Sequence, residues 1–214
     1  MGYSKFRHLA IEDAKSPPSG AQIRAIEDEL GAKLPPSFLQ YLAVANGGYL
    51  EYSIEVPTGT GNSEKLSFCG LFSADTGTFC DETFVGEIRS GRQFMKLPAG
   101  VLPFARDGGG SVVYLDLTTA GNGKVIAFVE GLPGWTGLRT DSAFVELAAS
   151  FDEYVDKLKI DLDAVIDHLK YDAAEPSHIA ATEEWLDIGL VTWRSNTLLV
   201  STFQEAKERI ESQE

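Results

Sequence analysis

A chain of 214 residues, 43% hydrophobic and 23% charged, has the composition of a globular protein with one full core and an appendage. Its 32 acidic and 18 basic residues give a net charge of −14, which repels phosphate backbones and anionic membranes and favours basic partners. Nucleic-acid and membrane binding are therefore disfavoured. With no apolar run near the roughly 18 residues a bilayer span needs and no signal-like opening, a soluble cytoplasmic protein is expected.

Residues 1 to 18 end in Ser16-Pro17-Pro18, a helix-breaking run that predicts an N-terminal arm. Ser19 and Gln22 then have the spacing of a capping box, and Ile23, Ile26 and Leu30 recur at helical intervals until Gly31 offers a left-handed stop. Leu34-Pro35 leads into a second helix beginning at Pro36, with Phe38, Leu39, Leu42 and Ala43 as its apolar stripe. Asn46-Gly47-Gly48 reads as punctuation that ends this helix in a left-handed turn. Strict alternation from Leu50 to Val56 then predicts one strand with four apolar side chains on one face.

Leu66 to Phe72 reads as another strand, and Phe84, Val85 and Ile88 suggest a short helix. From Val101 the pattern is an antiparallel meander: VLPFA, a turn at Asp107-Gly108-Gly109-Gly110, VVYLDL, a second turn, and VIAFVE. Ser150 and Glu153 open a helix that continues helically through Asp161 to Lys170. A further helix around Thr182 to Ile188 contains Trp185, residues 190 to 200 could be a strand, and Phe203, Ala206 and Ile210 mark a terminal helix. The division expected is an arm (1–18), an α+β domain (19–160) and a mainly helical C-terminal extension (161–214). The extension is the more acidic: 15 acids and 6 bases lie in residues 151 to 214, against 17 and 12 before them. Solvated helix faces account for most of that charge.

Chemistry-bearing motifs are scarce. PTGTGNSEK lacks the glycine before and the Ser or Thr after its lysine that a phosphate loop needs. Asp107 to Gly110 joins two strands and opens no helix, so a hairpin turn is expected there. His8, His168 and His178 have no metal-ligand spacing, Cys69 and Cys80 form no C-x-x-C pair and are read as reduced structural thiols, and adjacent acids such as Asp81-Glu82 do not face each other across a sugar. No catalytic, metal or cofactor residue is assigned. Trp135, in the glycine-bounded loop GLPGWTGL, is either tucked beneath its loop or exposed as a binding anchor; Phe79 and Arg139 share that ambiguity.

"IRAIEDELGAKLPPSFLQYLAVANGG" (23–48), "VLPFARDGGGSVVYLDL" (101–117) and "ELAASFDEYVDKL" (146–158), in that order, resemble the signature of the SUKH superfamily. The resemblance covers about residues 20 to 160 and departs from the family where Pro36-Ser37 replaces an acid. It implies an α+β fold: an antiparallel sheet of about five to six strands with helices packed against it. It also implies one of two roles, since the family includes fungal regulators of glucan synthesis and cell-wall assembly and bacterial immunity proteins that block a cognate toxin. No shared catalytic residues come with it. The leading expectation is a non-enzymatic protein-binding module, an immunity protein against a basic toxin domain encoded nearby; the alternatives are a regulatory scaffold and an unrecognised enzyme with a concave pocket. Glu51, Asp75, Asp81, Glu82 and Trp135 are the candidate contacts, and the sequence leaves the oligomeric state open.

Overall fold

The computed structural model describes residues 2–57, 63–75, 82–131 and 140–212. The segment expected as an arm forms an antiparallel pair, β1 (Ser4–Phe6) and β2 (Leu9–Ile11), and all of β2 is buried. Tyr52 fixes it there: its hydroxyl donates to the His8 carbonyl (2.8 Å) and accepts from the Ala10 amide (3.0 Å). Helix α1 (Gly20–Leu30) begins with the expected capping box, Ser19 and Gln22 satisfying each other's backbone amides, and stops at Gly31 with φ 77°. In α2 (Pro36–Leu42) the buried stripe is Phe38, Tyr41 and Leu42, whereas Ala43 is exposed. Tyr41 replaces it because its ring packs on Phe151 at 5.2 Å.

The strand expected from Leu50 to Val56 is divided. Strand β3 (Gly48–Tyr49) joins the main sheet, while β4 (Ser53–Pro57) pairs with β5 (Ser63–Ser67) in a separate ribbon. Leu50, Tyr52, Ile54 and Val56 are nevertheless all buried, so the alternation reported burial faithfully without reporting strand continuity. The predicted strand at 66–72 is likewise shared between the end of β5 and β6 (Gly70–Leu71).

Thr83 caps α3 (Phe84–Phe94), and the meander follows as β7 (Val101–Arg106), β8 (Val112–Asp116) and β9 (Lys124–Val129). A strand the sequence reading passed over, β10 (Ala143–Ala148), completes a six-stranded antiparallel sheet in the order β10-β9-β8-β7-β6-β3. Only Leu147 and Ala148 of β10 are buried, which explains its weak pattern. Helix α4 (Phe151–Lys157) returns across the sheet. Phe38 is the hub between the layers, meeting Phe151 at 5.0 Å, Phe104 at 5.8 Å and Phe84 at 6.1 Å, all edge-to-face. Burying such a ring contributes about 1.5–3 kcal/mol, and the edge contacts add to it.

The chain does not run helically from α4 onward. Leu158 is extended, and Lys159 exchanges backbone hydrogen bonds with Ser53 at 2.8 and 2.9 Å. Helix α5 (Leu162–Asp167) is capped by Asp161 and relaxes into a π-helical turn, His168–Asp172; α6 (Pro176–Gly189) and α7 (Thr197–Glu211) follow. The strand considered at 190–200 is instead a 3₁₀ turn, Trp193–Ser195, and the start of α7. Side chains enforce it: the Trp193 indole donates to Asp187 (2.7 Å), Arg194 pairs with Asp187 and lies over the Trp193 ring, and Asn196 caps α7. The architecture is α+β with a helical C-terminal region, and one hydrophobic cluster runs from Leu9 to Ile210 through both. Among the described residues no helix is long and apolar enough to cross a membrane.

Candidate functional site

Asn46-Gly47-Gly48 sits where three segments converge. Ala43 closes α2 in ordinary right-handed geometry, so the glycines do not cap that helix as expected. Their positive φ values, 70° and 101°, instead turn the chain into β3 at the sheet's edge. Asn46 is buried and bridges the other two segments: its amide donates to the Ser16 carbonyl and its oxygen accepts from the Ala74 amide, both at 2.7 Å. A Cβ on Gly48 would lie 2.5 Å from the Glu12 carbonyl oxygen. That closeness lets Glu12 and Tyr49 exchange both backbone hydrogen bonds (2.9 and 2.8 Å), which covers the outer edge of β3.

Two concavities flank this edge. The larger, about 640 Å³, has one wall from β3 to β6, with Tyr49, Glu51, Tyr52, Lys65, Ser67 and Cys69. The opposing wall comes from α5, the π-helical turn and α6, with Asp161, His168, Asp172, His178 and Trp185, and Tyr3 and Glu12 close one end. The smaller, about 540 Å³, runs past Lys15, Gly47, Gly48, Ser73, Asp75, Glu82, Arg106, Asp107 and Gly108; Tyr49, Cys69 and Gly108 border both. Among the described residues, seven carboxylates line the pair of grooves against three Lys or Arg side chains. Each of those cations is already matched: Lys15 to Asp75 (2.5 Å), Lys65 to Asp161 (3.3 Å) and Arg106 to Glu82 (3.4 Å). The surface left over is acidic.

The polar groups are held in place. Hydrogen bonding to Lys15 keeps the Asp75 carboxyl below the usual carboxylate range. Asp107 accepts from the Gly109 (2.8 Å) and Ser111 (3.0 Å) amides, so Asp107 to Gly110 is the expected hairpin turn, between β7 and β8. A hydrogen bond with the half-buried, free Cys69 thiol, then burial, raises Tyr49 to about 12. Burial lifts Tyr52 to about 12 as well. His168 lies 4.0 Å from Asp172, and His178 Nδ1 accepts from the Ala174 amide. Among the described residues no group of three or more His, Cys, Asp or Glu is placed to hold a metal ion.

The structure thus gathers Asp75, Glu82, Asp107, Gly108, Gly47 and Gly48 on one groove and Glu51 on its neighbour. Leu34 is buried and Pro35 is the extended residue that precedes α2, while Gly109 and Gly110 are at the exposed tip of their turn. Asp81, Trp135, Phe79, Arg139, Cys80 and most of the PTGTGNSEK loop lie outside the described residues. Sequence reading missed Tyr3, Glu12, Tyr49 and the wall from α5 and α6. Only Trp185 carried a signal, as a large aromatic in a helix.

Fold and grooves together define a helix-backed antiparallel-sheet domain whose acidic cleft opens at the short edge strand. Residues 17–157 match the SMI1 / KNR4 family (SUKH-1), and the chain belongs to that family. The matched span supplies the β3–β6 wall; the opposing wall and the Tyr3–Glu12 end lie outside it. No curated protein matches the chain.

Proposed function

We propose that this protein is a non-enzymatic protein-binding module of the immunity type, which occludes a basic toxin domain by docking it on the acidic grooves beside β3. The observation that carries the reading is the surplus of carboxylates over cations there among the described residues, whose Lys and Arg are each neutralised internally. Such a surface steers a basic cleft toward it and competes with the anionic substrate of a nuclease. The larger groove is concave, as an enzyme would require, but its Lys, Cys and Tyr52 side chains are each engaged by a neighbour, which favours binding over acid–base chemistry.

Co-expression with the neighbouring gene's product tests it. Growth rescue, with a complex that weakens as salt rises and is lost when Glu51 and Glu82 are both changed to lysine, is the expected result. Binding without rescue would indicate a regulatory scaffold, and no binding to an adjacent product would count against immunity and leave the scaffold reading.

A further inference from the structure

The larger cleft is a trough between two walls from distant parts of the chain, and at about 640 Å³ it lies within the roughly 300–1,000 Å³ of ligand-binding clefts. Lys65 of β5 reaches Asp161 at the start of α5 (3.3 Å), and Ser53 and Lys159 exchange backbone hydrogen bonds, so the sheet side and the helical side are tied together. Among the described lining residues Lys65 is the one Lys or Arg, and that pairing occupies it. Glu12 and Glu51 on the sheet side and Asp172 on the helical side then set the charge from both walls. The Tyr3 hydroxyl registers that field: burial, then Glu12, Glu184 and Glu51, push it up to about 12. Tyr49, 43% exposed, and Trp185, beside Tyr52 at 6.0 Å, give the same space an aromatic lining. Two polar groups remain for a main chain. The Ser67 hydroxyl is buried with no hydrogen-bond partner among the described residues. His178 accepts the Ala174 amide on Nδ1 (3.3 Å), which leaves Nε2 as a donor in the neutral ring.

We propose that this cleft captures an extended basic segment of the partner, a chain end or loop laid between the two walls with two adjacent basic residues at its centre. The source of that segment, a docked protein, rests on the protein-binding reading. A convex protein face meets only the rim of a trough, whereas a single extended chain fits between its walls. Such a chain projects successive side chains to opposite sides. Neighbouring basic residues therefore reach Glu51 and Asp172 on opposite walls at once, while basic residues two apart both point to the same wall. Their aliphatic stems lie against the tyrosine and tryptophan rings as the charged heads meet carboxylates. Main-chain groups of the same segment complete the hydrogen bonding of Ser67 and His178. Asp172 and His178 lie outside the family-matched residues, so the helical wall reads the second basic residue.

The test is a heteronuclear NMR titration of the full chain with three capped peptides: Gly-Ser-Arg-Arg-Ser-Gly, its isomer Gly-Arg-Ser-Arg-Ser-Gly, and Gly-Ser-Glu-Glu-Ser-Gly. The first is expected to bind saturably and to shift both walls, at the Glu51 and Ser67 amides and at the His178 amide and Trp185 indole. It should bind about 10-fold tighter than its isomer, the equivalent of one charge-assisted contact, and the acidic peptide should not bind. Glu51→Gln and Asp172→Asn, both at exposed positions, should each weaken the adjacent-pair peptide by about 10-fold and abolish its advantage over the isomer. Glu205→Gln, exposed on α7 and outside the cleft, should change neither. Equal binding of the two arginine peptides, shifts confined to one wall, an advantage that survives both substitutions, or no saturation would overturn the proposal. The two ideas fail separately. If a whole partner binds and the peptides do not, the acidic-groove reading stands and the threaded segment falls; if the peptides bind as expected and no adjacent product does, the threaded segment stands and immunity falls.

Discussion

The family-matched body and the C-terminal helical region reach stability by different routes. The body is a pairing structure: six strands in fixed register, clamped by Phe38 and its ring neighbours. The C-terminal region has no sheet of its own among the described residues. Its helices are positioned by local polar locks, such as the Asp187–Trp193–Arg194 cluster, and by packing against β2 and Tyr52. The helical region, outside the family-matched span, nevertheless builds half of the cleft.

The sharpest way to break this comparison is to end the chain after Leu158. Strand β2 loses the cover of α6 and Tyr52 that of Trp185, so the truncated chain should lose its cooperative thermal transition; unchanged melting would make the two regions separable. Within the body, Phe38→Ala should lower stability by about 3–5 kcal/mol in denaturant unfolding, whereas a fall below about 1 kcal/mol would mean that the hub is shared more widely than the ring contacts indicate. At the junction, Gly48→Val combines a positive φ with a Cβ 2.5 Å from a backbone oxygen and should cost about 3 kcal/mol. Intact melting with lost partner binding would return the glycines to a ligand-binding role. The smallest effect at neutral pH comes from ionisation. Tyr3, Tyr49 and Tyr52 titrate near 12 when folded, against about 10 in an unfolded chain. The protonated forms therefore stabilise fully below about pH 10, and that contribution falls away as pH rises toward 12. Alkaline melting curves that stay flat across this window would show that the cleft tyrosines are solvated.

Local signals in the sequence were reliable wherever one residue's neighbours in the chain were also its neighbours in space. The Ser19–Gln22 box, Gly31, the Asp107 turn and the meander strands are all cases of this kind. Expectations failed where distant groups overrode the local pattern. Tyr52 and Lys159 divided a strand the alternation drew as continuous, and Asp187 and Asn196 replaced a possible strand at 190–200 with turns and a helix. Candidate contacts were half legible: acids near the sheet edge were named, and three of them line the grooves. Their partners Tyr3, Glu12 and Trp185 were not, since no spacing links residue 12 to residue 49 or 185.

By itself the sequence determined an acidic α+β protein, its family signature and the role of Asn46-Gly47-Gly48 as a structural junction, because periodicity, caps and turn chemistry are short-range. Only the tertiary structure decided that this junction is a crossroads held by Asn46, and that chain segments as far apart as Tyr3 and Trp185 enclose one cleft. Those pairings depend on which long-range contacts recover the entropy of closing large loops, and that balance is struck by the whole packed core.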